Sequence, residues 1–336
     1  MPEAAWTKLN CGAVGFYRVQ YEKSYSSKFN VGKLMIRDRL QLQSDTFALA
    51  KAGYIPVTDY FDLLSKYADE NEYTVMGDIL KNLGEVSLWA RNLDQSTQEN
   101  FRKWKLNLLQ KLKVSLGWTK KESDSHSAIL LRSKVMDTLG KCGDPEIVKE
   151  ARQMFADHLS GKKEIDGDLR AAVYQTMASN AESEDDLKKL TKLWEDNKES
   201  QEQQALVERS IGYVKDNKEY ISFAVDFIKS IKACNVPFAF VGLCYGSQAG
   251  ADATWDFIQN NMDWIKTNCQ GFLLQAMFSR TLCVFGSAEK YSEIKKFFED
   301  LGMQEGKRAI SQMLEKIDVR SKAVDRDGEA IVKYFQ

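Results

Sequence analysis

Hydrophobic positions repeat with two different periods along this chain. In residues 1–21, Tyr17, Val19 and Tyr21 alternate with Arg18 and Gln20, following Trp6-Thr7-Lys8-Leu9-Asn10 and a glycine-containing turn. A spacing of two predicts a pair of β-strands. Two strands alone are marginally stable in water, so these are expected to belong to a sheet outside the chain or to pack against the helices. On that reading the chain is part of a longer protein.

From about Asp38 the period becomes helical. Leu40, Phe47 and Ala50 share a face that Gly53 can close, and Thr58 is placed to cap a helix carrying Phe61, Leu64, Tyr67 and Ala68. These two helices are expected to form an antiparallel pair. Val75, Met76, Ile79, Leu80 and Leu83 give a stripe ending at Gly84, and Phe101, Trp104, Leu108, Leu112 and Leu116 give a longer one. Asp124 opens a helix with Ala128, Leu131, Val135 and Leu139. Asp144-Pro145-Glu146 supplies a cap, a first-turn proline and an acidic start for Ile147, Ala151, Phe155 and Leu159. Ser183 starts a helix with Leu187, Leu190 and Trp194 inward, and Trp255, Ile258, Met262 and Ile265 mark another. The pairs recur every roughly 35 to 45 residues, as in HEAT and armadillo arrays, but without self-similar sequence. The predicted fold is all-α, an irregular HEAT/armadillo-like αα-superhelix over 22–336, preceded by the strand pair of 1–21.

Composition agrees with helix: only 4 Pro and 20 Gly occur in 336 residues, and 43% are hydrophobic. With 47 basic and 48 acidic residues the net charge is -1, so no broad field attracts phosphate or anionic lipid. Nucleic acid and membrane are therefore not expected partners. Lys103, Lys105, Lys111 and Lys113 read as the solvated face of an amphipathic helix. The longest apolar stretch, Val236 to Cys244, is too short to span a bilayer, and no signal peptide is visible. Six dispersed cysteines without Cys-x-x-Cys spacing read as reduced thiols, and no Asn-x-Ser/Thr occurs, so a cytoplasmic location is expected.

Catalytic motifs are missing from the sequence. The two histidines, His126 and His158, lack a histidine four residues away, and no phosphate loop, dinucleotide fingerprint or Gly-x-Ser-x-Gly elbow occurs. The chain is accordingly expected not to be an enzyme by itself and to hold no cofactor or metal. Two places stand out. Tyr245-Gly246-Ser247-Gln248-Ala249-Gly250 is a small, polar segment between apolar stretches, either a plain interhelical turn or a place where backbone approaches a ligand or domain. Asn268-Cys269-Gln270-Gly271-Phe272 sets Gln270 and Gln275 beside a buried surface, as rim or pocket lining.

Trp6-Thr7-Lys8-Leu9-Asn10 with Gly15-Phe16-Tyr17-Arg18-Val19-Gln20-Tyr21 resembles the end of the β-sandwich in aminopeptidase-N-like zinc metallopeptidases. Asp38-Arg39-Leu40, Asp45-Thr46-Phe47-Ala48-Leu49-Ala50, Tyr73-Thr74-Val75, Gly246-Ser247 with Trp255-Asp256-Phe257-Ile258, and Phe297-Phe298-Glu299 continue it in order. Asn71 to Leu83 and Gly246 to Trp255 are most similar to the puromycin-sensitive type. The resemblance implies a C-terminal helical bowl that closes over a catalytic domain and helps hold peptides near an active site. It also implies that the zinc-binding His-Glu-x-x-His helix and the exopeptidase loop lie upstream, so zinc would belong to the parent protein's catalytic domain.

On this resemblance the expected partners are the upstream catalytic and β-sandwich domains, and peptides. Self-association is expected through surface uncovered in isolation. Tyr245, Ser247, Gln270 and Gln275 are the expected substrate-binding residues. Ala276 departs from the Arg or His that several family members carry there, which leaves open altered specificity or a catalytically inactive parent with a binding role. An unrelated HEAT-like adaptor is a third reading, and it must treat the ordered matches as chance.

Overall fold

Leucine, alanine and charged helix formers in amphipathic runs, punctuated by turn residues, produce helices in succession. A computed structural model describes residues 6–336, and among them the regular elements are helical. They are α1 (Lys23–Ser26), α2 (Ile36–Ala52), α3 (Val57–Leu64), α4 (Tyr73–Ala90), α5 (Gln95–Leu108), α6 (Gln110–Leu116), α7 (His126–Lys141), α8 (Pro145–Leu159) and α9 (Gly167–Ser179). The second half adds α10 (Glu184–Asp196), α11 (Gln201–Ser210), α12 (Lys218–Ser230), α13 (Val236–Gly246), α14 (Gln248–Asn260), α15 (Met262–Asn268), α16 (Phe272–Ser279), α17 (Ala288–Asp300) and α18 (Lys307–Phe335). The predicted all-α class holds. No described helix is long and apolar enough to cross a membrane.

Several local expectations hold in detail. Gly53 ends α2 in the left-handed region at φ 83°, and the Asp144 carboxylate accepts from the amides of Glu146 and Ile147 at the start of α8. Others shift. The helix expected to end at Gly84 continues to Ala90, because a glycine on an exposed helix face costs less than Val86, Leu88 and Trp89 gain by burial. Thr58 does not cap α3, which begins after Pro56. The Phe101–Leu116 stripe is divided between α5 and α6 at Leu109, and the Trp255–Ile265 stripe between α14 and α15 at Asn261.

The expected strand pair does not form among the described residues. Asn10, Gly12 and Ala13 take φ of 52°, 74° and 54°, which breaks the extension, and Cys11–Ala13 make one turn of 3-10 helix. With no third strand beside it, the segment's amides go to side chains instead. Leu9 N–H donates to the Tyr21 hydroxyl at 2.8 Å, Gly12 N–H to Asp38 at 2.7 Å, and Val19 N–H to Asp45 at 3.1 Å. Lys8 Nζ meets Asp38 at 2.9 Å, with both side chains at most 5% exposed.

The chain divides into two compact units, one running to Met136 and including Ala323–Gln336, the other Asp137–Lys322. In the first, α2 packs on α3 and α4 around a buried polar network. Tyr60 donates to Gln43 at 3.1 Å, Gln43 donates to Asp78 at 2.7 Å, and Asn82 donates to Gln43 at 3.1 Å. The chain end joins the same unit through an aromatic cluster, Phe335 lying 5.2 Å from Phe61 and 5.4 Å from Phe101 between ring centroids.

The second unit is built in two layers. Each helix packs on its neighbour in sequence, as α8 on α9, α10 on α11, α12 on α13 and α13 on α14. Alternate helices also touch, giving one layer of α9, α11, α13 and α16 and another of α10, α12 and α14. This alternation is the packing logic of helical-repeat arrays.

Lys8→Met tests the anchoring of the N-terminal segment. It would leave the buried Asp38 carboxylate unpaired, and chemical denaturation should show a loss of about 3 kcal/mol. Burial raises the Asp38 pKa, but hydrogen bonds from Lys8 and Gly12 outweigh it and the net shift is downward. The pair's contribution is thus complete above the unfolded-state carboxyl pKa and lost as pH falls through the lower folded value. The difference in stability between wild type and Lys8→Met should accordingly shrink on acidification below about pH 4.

Candidate functional site

Three glycines bring backbone against backbone in the second unit. A Cβ on Gly212 would lie 2.5 Å from the Leu243 nitrogen and 2.8 Å from the Gly242 carbonyl carbon. One on Gly242 would meet the Arg209 carbonyl oxygen at 2.9 Å, and one on Gly246 the Gly212 oxygen at 2.8 Å. No side chain fits in these spaces, so the 3-10 turn Ile211–Tyr213 after α11 lies directly on α13. The segment Tyr245–Gly250 is therefore a tight helix junction: Tyr245 and Gly246 end α13, Gln248 begins α14, and Ser247 alone separates them.

This close approach forms one wall of an open cleft of about 620 Å³ on the α9–α11–α13–α16 layer. Its lining comprises Gln175, Arg209, Tyr213, Phe238, Val241, Gly242, Tyr245, Ser279, Arg280, Cys283 and Lys316. Phe238, Val241, Gly242 and Tyr245 form a single stripe of α13 at helical spacing, on a helix otherwise buried. Cys283 is held in place by its chain: Arg320, itself buried, donates to the carbonyls of Cys283 and Phe285.

Charge in this cleft is of one sign. Arg209, Arg280 and Lys316 line it, no carboxylate does, and among the described residues none of the three is paired with an acid. Elsewhere in the unit cations are neutralised locally, as Arg152 by Asp186 at 3.0 Å and Lys290 by Glu293 at 2.9 Å. The two guanidinium groups rest on aromatic faces instead. Arg280 stands 5.5 Å from the Phe238 centroid and 5.6 Å from that of Phe272, and Arg209 stands 5.9 Å from Phe238. Such stacking holds a guanidinium while leaving its in-plane N–H donors free for an anion.

A second concavity, about 550 Å³ between α12 and α14, has a different character, since Asp226, Asp252 and Asp256 alternate there with Lys218 and Lys229. With three carboxylates against two ammonium groups its lining is mixed in sign, with a small acidic excess. The first cleft can attract and orient a negatively charged group beside apolar surface; the second cannot.

The structure separates the four residues expected from sequence. Tyr245 is in the cleft, 40% exposed, its hydroxyl 3.9 Å from the Cys283 sulfur. Ser247 is buried and accepts from Gly250 N–H at 3.0 Å as the cap of α14. Gln270 and Gln275 are exposed and do not line the cleft. Ala276 is buried in α16. Sequence reasoning missed Arg209, Tyr213, Phe238, Arg280 and Lys316. The available signal was the stripe on α13 together with glycines recurring at 242 and 246, which marks a face approached by backbone.

Zinc is the metal that the resemblance implies, and the donors present do not suit it. Among the described residues no group of three His, Cys, Asp or Glu side chains could hold a metal ion. His126 is exposed at the start of α7, while His158 shares a hydrogen bond with the Tyr174 hydroxyl through Nε2 at 3.3 Å and has its Nδ1 3.1 Å from Glu164 without a hydrogen bond to it.

Layered helices carrying an open, cation-rich aromatic cleft characterise the second unit. The chain belongs to the ERAP1-like C-terminal domain family, whose model matches residues 6–319. It is 25% identical over 334 residues to Aminopeptidase M1-B of Oryza sativa, covering 96% of this chain and 38% of the relative. It is 26% identical over 330 residues to Aminopeptidase M1 of Arabidopsis thaliana, covering 96% and 37%. Puromycin-sensitive aminopeptidase of Caenorhabditis elegans is 26% identical over 177 residues, covering 52% of this chain and 19% of that protein. The chain thus spans well under half the length of these relatives.

Glycine substitutions test the seam. Gly242→Ala should destabilise the chain by about 2 kcal/mol, the usual scale of overpacking. Gly84→Ala, where an added Cβ meets nothing within 4 Å on an exposed stretch of α4, should stabilise by about 0.5 to 1 kcal/mol. Thermal melting of the two variants, with near-ultraviolet circular dichroism to report on the second unit's tyrosines and tryptophans, checks both.

Proposed function

We infer that this chain is the C-terminal, substrate-holding domain of an aminopeptidase, and that it binds peptides through their carboxylates in the Arg209–Arg280–Lys316 cleft. The parent activity is release of N-terminal amino acids from peptides, with zinc and the catalytic residues in upstream domains. The observation that carries the binding role is the cleft itself: three cations without acidic partners beside Tyr213, Phe238 and Tyr245. A peptide whose amino end is being processed elsewhere presents two kinds of negative group, its free terminus and its Asp or Glu side chains. Two guanidinium groups fixed on aromatic rings match a carboxylate in plane, and the rings offer apolar surface to the adjoining side chain.

Names of the relatives support the parent activity, since the aligned region is the smaller part of proteins called aminopeptidases. Upstream domains of the same protein are the proposed partners of residues 6–21, the segment we assign to the end of a preceding β-sandwich domain. Its Leu9, Val14, Phe16 and Tyr17 are exposed, which favours burial against such a neighbour and self-association when the neighbour is missing. A cytoplasmic location accords with the dispersed cysteines, which lack the density of a disulfide scaffold.

Calorimetric titration with one peptide as free acid, as C-terminal amide, and with its acidic side chains replaced by amides tests the reading. Removal of every carboxylate should weaken binding about tenfold at low salt, equivalent to about 1.4 kcal/mol, and the difference should shrink at high salt. Arg209→Met with Arg280→Met should abolish the discrimination. Equal affinity for the carboxylate and carboxylate-free peptides would overturn the role of the cleft.

A further inference from the structure

Behind the cleft wall lies a lysine that the lining does not include. Lys141, the last residue of α7, places its ammonium 3.8 Å from the Tyr213 ring centroid and 2.9 Å from Asp137 one turn earlier. Its side chain is 26% exposed. Burial works against its charge, but Asp137 and Tyr213 more than offset this and its pKa is raised, so Lys141 is a cation at neutral pH. The second Asp137 oxygen is buried and has no hydrogen-bond partner.

Tyr213 is held on its backbone side by the glycine seam, where a Cβ on Gly246 would come 3.0 Å from the Tyr213 Cα. That contact fixes the Cα and does not by itself set the direction of the ring. The ring's placement against the cleft needs a further contact, and the ammonium over its face supplies one. A cation on a partly desolvated aromatic face contributes more than one at the open surface.

The geometry points to Lys141 as a positioning residue for the cleft: its ammonium holds the Tyr213 ring in the orientation that presents the phenolic hydroxyl to a peptide carboxylate beside Arg209. This rests on the binding role proposed above. The ion pair with Asp137 sets the direction of the lysine stem, so Asp137, Lys141 and Tyr213 act as a chain from α7 to the cleft. The charge of Lys141 is what matters, and its aliphatic stem alone does not suffice.

Titration of the full chain with the free-acid peptide and its carboxylate-free form tests this. Lys141→Met alone would strand the Asp137 carboxylate, so the informative variant is Asp137→Asn with Lys141→Met, which removes both charges together. That variant should bind the free-acid peptide five- to tenfold more weakly and the carboxylate-free peptide as wild type does, while Lys141→Arg with Asp137 intact should stay within about twofold of wild type. Adding Tyr213→Leu to the charge-free pair should cost nothing further, because the lysine acts through that ring.

An unchanged affinity for the free-acid peptide in the charge-free variant overturns the inference while leaving the cleft reading intact. So do an equal loss for both peptides, a loss in Lys141→Arg as large as in the charge-free variant, or a melting temperature so lowered that the residue's role is in folding. Failure of the wild-type chain to distinguish the two peptides overturns the cleft reading and this inference together.

Discussion

Backbone contact between the Ile211–Tyr213 turn and α13 is the constraint on which the second unit's cationic cleft depends. Helices normally stand 8 to 10 Å apart because side chains intervene. At Gly212, Gly242 and Gly246 none can intervene, and the turn after α11 sits on α13 itself. Arg209 and Tyr213 are thereby brought beside Phe238 and Tyr245, residues more than twenty positions further along the chain. The constraint is rigid, since each forbidden Cβ would strike backbone, which does not move as a side-chain tip does.

Electrostatics depends on that placement. Unpaired arginines at a surface are stable enough when solvated, and stacking on Phe238 and Phe272 restricts where the guanidinium groups point. A cleft of one sign with apolar walls focuses potential at its centre, whereas the mixed Asp and Lys lining between α12 and α14 largely offsets itself and leaves only a small acidic excess. The two layers of the unit thus differ in chemistry as well as position. An overall net charge of -1 hides this difference, because local arrangement decides it.

Sequence periodicity made the helical architecture legible, and caps such as Asp144 and Gly53 fixed individual helix ends. It failed where two competing effects were close in magnitude. Alternation at Tyr17, Val19 and Tyr21 indicated strands, but amides of this segment found Asp38, Asp45 and Tyr21 as acceptors in the absence of a neighbouring strand. Of the expected site residues, Tyr245 reached the cleft because it continues the α13 stripe; Ser247 became a helix cap, and Gln270 and Gln275 lie outside the lining. Arg209, Arg280 and Lys316 were illegible for a definite reason. Each occupies a polar position on a different stretch of chain, and only tertiary packing reveals that they converge without an acid among them.

Hydrogen–deuterium exchange of the chain with and without a free-acid peptide tests the central claim most directly, because it reads which layer of the second unit receives the ligand. The account predicts slower exchange in residues 209–213, 236–246 and 279–283, with α12 and α14 unchanged. Protection confined to α12 and α14, or none at the Ile211–Tyr213 turn under saturating peptide, would contradict it.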